Sequence, residues 1–163
     1  MLKATIWLSV LAWASSEVLR RAGADRRDAA RAIFTAGALL LVGHTAIAFQ
    51  VQHGWSHAAA FDATARRSEE LTGVAYGNGI YLNYLFIAVW ACESAWWWLD
   101  ARGYLHRARA IDLGMFAFFT FMVINGAVVF ASGRMRIAGA VSVIAALVAR
   151  AGLPGAPLER GRA

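Results

Sequence analysis

Cysteine is nearly absent. The one cysteine among 163 residues, Cys92, lies inside an apolar run, which excludes an intrachain disulfide and leaves the redox compartment unread. Proline is almost as scarce: both copies, Pro154 and Pro157, fall in the C-terminal tail. Charge is thin, at 16% of residues against about 25% in a soluble domain. The polar faces that helices of a soluble protein need are missing. No GxSxG nucleophile elbow, phosphate-binding glycine loop or CxxC pair occurs. A lone HxxxH is too few histidines for the several histidine boxes of membrane di-iron desaturases. No catalytic motif is present, and the reading leans away from an enzyme.

What is abundant is apolar surface. Hydrophobic residues make up 60% of the chain and sit in runs of membrane-spanning length between short charged loops. These features predict an all-α integral membrane helical bundle of four or five transmembrane helices, one domain over residues 1–153 with a loose tail at 154–163. The spans fall at about 1–19, 32–51, 80–99 and 111–132, lengths that suit a hydrocarbon core of about 30 Å. A fifth run, 137–149, is short but crosses if Arg136 and Arg150 snorkel outward. Ala12-Trp13-Ala14 resembles a signal-peptide cleavage site, yet arginines follow directly, which favours an uncleaved first helix.

Charge sets the orientation. The net charge of +6 comes from arginines in loops beside apolar spans, where topology and anionic lipid account for them without nucleic acid. The loops 20–31 and 100–110 are expected in the cytoplasm of a bacterium and loop 52–79, with no positive excess, outside its inner membrane. Five spans put the amino terminus outside and the carboxyl terminus inside. Four would leave both outside. Arg150, Arg160 and Arg162 favour five.

Polar groups that can do chemistry are few. His53 and His57, four apart, share one face if their segment is helical, and with a carboxylate such as Asp62, Glu69 or Glu70 they suit a divalent metal. Gly54 between them can break that helix, and the alternative is an interfacial anchor around Trp55. His44 lies deep in the second span. An interhelical hydrogen bond, with Asn125 of the fourth span at a similar depth, is the favoured reading, and an axial haem ligand the sharper one. No second histidine matches its depth, so haem requires another chain or a weaker ligand. Glu93, inside the third span, is expected to be neutral or paired, as a proton relay or as a helix-to-helix hydrogen bond. Glu17, three residues before Arg20, reads as a snorkelling side chain with no special role. Tyr76, Tyr81, Asn83 and Tyr84 gather near the predicted position of His53 and His57.

Four short stretches, Ala48-Phe49, HGWSH at His53–His57, GNGIYLNY at Gly77–Tyr84 and Trp96–Trp98, resemble a group of uncharacterised bacterial multi-pass membrane proteins of the kind found in planctomycetes. The resemblance covers about a third of the chain, implies an inner-membrane setting and carries no chemistry. The leading expectation is an accessory or complex-forming membrane subunit, packing against other subunits or copies of itself through small residues such as Gly37, Gly43, Gly126 and Gly139. The other is a metal- or haem-binding protein using His53 and His57 or His44.

Overall fold

A computed structural model describes residues 2–126 and 133–152. The chain is all-helical: among the described residues there is no strand, and seven α-helices follow in order. They are α1 (Leu2–Ala22), α2 (Arg27–Ala48), α3 (His57–Thr72), α4 (Gly79–Leu99), α5 (Ala101–Leu105), α6 (Arg109–Ile124) and α7 (Arg134–Gly152). A 3-10 turn, Ala24–Arg26, joins α1 to α2, and a π-helical turn, Phe49–His53, extends α2 to Gly54. The predicted tail at 154–163 and the end of the predicted fourth span, 127–132, lie outside the described residues.

α1 and α2 form an antiparallel pair held by small side chains. Ser9 Oγ donates to the Gly37 carbonyl at 2.8 Å and Ser16 Oγ to the Ala30 carbonyl at 2.9 Å. Each hydroxyl thus meets its partner inside the bundle instead of remaining an unpaired buried donor. Gly37 is required here, because a Cβ on it would lie 2.7 Å from Trp90 Cζ2 and 3.1 Å from Ala12 Cβ. Of the other glycines read as helix contacts, Gly43 and Gly126 have open space around them.

α7 packs on the other side of α1, α4 on α2, and α6 touches both α4 and α7. Between them lies an aromatic core of Trp13, Phe34, Phe86, Trp90, Trp97 and Phe119. Trp90 is 1% exposed and its indole N–H donates to the Phe34 carbonyl at 3.1 Å, so the buried ring leaves no polar atom unpaired. At the far end of the same interface Arg31 stacks over Trp98, 4.0 Å from the ring centroid, and Trp98 Nε1 donates to Thr35 Oγ1 at 2.9 Å.

The outward faces are aliphatic. Leu8 and Leu11 of α1, Leu39 and Val42 of α2, Leu82 and Leu85 of α4, and Ile137, Val141, Ile144 and Val148 of α7 are all exposed. The core is mainly apolar but also takes in Ser9, Ser16, Glu17, Glu93, Ser94 and Ser142, while many large aliphatic side chains stay exposed. Among the described residues one helical run, Ala24–His53, is long and apolar enough by length and composition to cross a membrane.

Candidate functional site

The structure places the two histidines on different helical segments. The π-turn ends at Gly54, which adopts a left-handed conformation at φ 53°, and Trp55 follows at φ 59°. His53 therefore closes one helical segment and His57 opens the next, so they do not share a helix face. His53 packs edge-on against Phe49. His57 turns to α4 instead, with Nδ1 3.0 Å from the Tyr84 hydroxyl and Nε2 3.4 Å from that of Tyr81. Asp62 is exposed on α3. Among the described residues no group of three or more histidine, cysteine or carboxylate side chains is placed to hold a metal. The shared helix face expected of His53 and His57 is thus not formed, and Asp62 is not grouped with them, because a left-handed glycine redirects the chain between the two histidines. The tyrosines Tyr81 and Tyr84 do come to His57, joined by Phe61 of α3 at 6.4 Å from each of the His57 and Tyr81 rings.

In the interior, His44 Nδ1 lies 3.1 Å from Thr5 Oγ1, a link from α2 back to α1. Asn125, half-buried, caps the C-terminus of α6. An apolar groove below Trp55 is lined by Val42, Thr45, Ala46, Phe49 and Ile87, and His44 does not line it.

The densest chemistry lies at the opposite end, where the C-termini of α1, α4 and α7 meet the N-terminus of α6. Glu93 is 7% exposed, and its carboxylate accepts a hydrogen bond from Arg107, in the turn between α5 and α6. Arg107 also donates through Nη2 to Asp112 Oδ1 at 2.9 Å. Asp112, in the first turn of α6, accepts from Arg20 Nη1 at 3.2 Å and from Arg150 of α7. Arg20 in turn donates through Nη2 to both oxygens of Glu17, at 3.0 and 2.9 Å. Arg21 and Arg150 each lie 3.9 Å from Glu17 Oε2. Helices α1, α4, α6 and α7 are thereby tied into one ionic network. Glu17, read from sequence as snorkelling with no special role, is 7% exposed at its centre. Arg150 of α7 lies against it, a long-range neighbour that local spacing from Arg20 does not reveal.

Tyr104 of α5 floors the network. Its ring stacks on Trp97 with centroids 4.7 Å apart, and the Arg107 guanidinium lies 4.5 Å from its centroid on a stacking path. Burial pushes the Tyr104 phenol well above the ordinary tyrosine range, outweighing the pull of Arg20 and Arg107. Burial works against the charge of Arg107, but Tyr104 and the hydrogen bonds to Glu93 and Asp112 more than offset it and hold its pKa above the usual value. A cavity of about 10 Å³, the size of a single water at most, lies among Trp13, Glu17, Arg20, Glu93 and Tyr104.

The arginines of this network were legible only as topology markers. One signal pointed further: a carboxylate within an apolar run needs a cation at the same depth, and the arginines of the 100–110 loop are the nearest in sequence to Glu93. No protein-family model, curated protein or solved structure matches the chain.

Proposed function

We propose that the chain is a small multi-pass membrane protein of a bacterial inner membrane that works as a complex-forming subunit. In this reading α1, α2, α4, α6 and α7 cross the bilayer, with the ionic network on the cytoplasmic side. The supporting observation is the apolar outer surface: each of these helices carries exposed large aliphatic or aromatic side chains, and α1, α4 and α7 are 21, 21 and 19 residues long. At 1.5 Å per residue such helices run about 30 Å, the thickness of a hydrocarbon core. α4 is rich in tryptophan and tyrosine at its ends, Tyr81 and Trp98 both being exposed where interfacial rings belong.

The subunit role rests on one face of α4. Ala88, Ala91, Cys92 and Ala95 are all exposed and recur at helical spacing. Without side-chain bulk, a second helix can approach closely enough for its backbone to pack, the basis of small-residue helix association in membranes. Cys92 lies within that face and is the only cysteine in the chain. Oxidative cross-linking of membranes containing the protein is expected to give a disulfide-linked dimer through Cys92, lost on Cys92→Ser and reduced on Ala91→Leu. Monomer under all conditions, together with an unchanged particle size for Ala91→Leu, would remove α4 as the association face.

A further inference from the structure

Among the described residues the ionic network contains more cation than anion. Arg20, Arg21, Arg107 and Arg150 face Glu17, Glu93 and Asp112, leaving one positive charge over. The surplus is not shared evenly. Arg107 reaches two carboxylates, and Arg20 also bridges two. Arg21 stands apart: its nearest carboxylate oxygens are at 3.9 Å on Glu17 and 3.8 Å on Asp112, beyond hydrogen-bond reach. Among the described residues its Nε is enclosed without a hydrogen-bond partner, and so are Arg20 Nε and Arg150 Nη1. Those three donors belong to the last turns of α1 and α7, which pack side by side. The negative ends of the two helix dipoles favour cations there, but a dipole gives an enclosed N–H no acceptor.

Asp112 does not fill the deficit: its oxygens accept from Arg20, Arg107 and Arg150, and Oδ2 stays 3.8 Å from Arg21 Nη2. What fits is a further oxyanion with several acceptor oxygens and a single net charge. Arginine meets such groups through its planar fork of N–H donors. We propose that the α1–α7 end of the network, centred on Arg21 with Arg20 and Arg150, is a binding site for the phosphodiester of an anionic phospholipid. The proposal rests on the membrane reading above, which puts this end of the bundle at the inner leaflet. There a cluster of arginines at the helix ends meets lipid headgroups at high local concentration.

The test uses the full chain purified in a neutral detergent, with thermal unfolding followed against added phosphatidylglycerol, phosphatidylcholine or inorganic phosphate. Phosphatidylglycerol is expected to raise the Tm above the phosphatidylcholine level. Arg21→Gln should weaken that response about tenfold or more in lipid concentration, the worth of one charge-assisted hydrogen bond. Without lipid it should unfold no earlier than the parent, since Arg21 holds no carboxylate at hydrogen-bond distance. Arg21→Lys, which keeps the charge and loses the fork, should fall between the two and serves if the glutamine variant is unstable. Arg66→Gln, on the exposed face of α3, should respond as the parent does. An equal response from parent and both Arg21 variants, or none beyond phosphatidylcholine, overturns the site. A rise with inorganic phosphate alone, lost in Arg21→Gln, keeps the anion site but overturns the lipid as its source. Release of the chain from membranes by alkaline carbonate overturns the membrane reading separately, and the phosphate arm still tests the site.

Discussion

Glu93 and Arg107 show how an apolar run tolerates an acid. Their side chains are 9% and 5% exposed, so each depends on the other for compensation. Glu93→Leu removes the acceptor and leaves Arg107 with Asp112 alone, and breaking such a buried pair is expected to cost about 3–5 kcal/mol. Glu93→Gln keeps an amide oxygen that accepts from Arg107, so its cost should be nearer about 1–3 kcal/mol. The double variant Glu93→Leu with Arg107→Met removes both charges together and should recover much of the loss. Unfolding of the four proteins in detergent, as a double-mutant cycle, measures the coupling; simple additivity would mean that the pair is not a unit. Gly37 is the other residue where one atom matters. Gly37→Leu drives a side chain into Trp90 and Ala12 and should destabilise by about 1–3 kcal/mol, with a change in tryptophan fluorescence as Trp90 shifts.

Elements differ in how much the rest of the molecule holds them. α3 is polar and mostly exposed, with Ala60 its one fully buried residue, and it depends on its own ends. Ser56 caps it, its hydroxyl accepting from the Ala59 N–H at 3.2 Å, and Gly73 closes it at φ 76°. Ser56→Ala should weaken the helix by about 1 kcal/mol. Because α3 is a surface element, that loss should appear as faster amide exchange in its first turns, with α4 unchanged. Loss of protection in both would mean that α3 and α4 open together. The boundaries of α3 are set by local signals, a serine cap and a glycine stop. The break at Gly54 was written in the same local code, but the spacing of His53 and His57 looked equally compatible with a continuous helix.

At the scale of the whole molecule, the pairing of Arg150 with Asp112 brings the end of α7 to the same end of the bundle as the α5–α6 turn. For a bilayer this predicts five crossings. Reporter fusions at Gly23, Gly103 and the carboxyl terminus should report the cytoplasm, and one at Ala63 the outer side. A carboxyl terminus on the side of Ala63 would leave α7 on the surface and contradict the arrangement. Neutralising an arginine that bridges two carboxylates should also matter more than neutralising an exposed one: Arg20→Gln, which strips hydrogen bonds from both Glu17 and Asp112, should lower the Tm well below that of Arg66→Gln.

Where the helices run was decided by the amino-acid sequence itself. Apolar stretches at 32–51 and 80–99 correspond to α2 with its π-turn and to α4, because run length, a tryptophan cluster and glycine turns are all local features. The arginine loops were visible for the same reason. Which polar groups meet was decided only by the tertiary structure. His44 reaches Thr5, 39 residues away, and Arg20 reaches Asp112, 92 residues away, so no spacing rule connects them. Antiparallel packing gathers the ends of α1, α4, α6 and α7 at one place, and there arginines that read singly as topology markers become one ionic network with a charge left over.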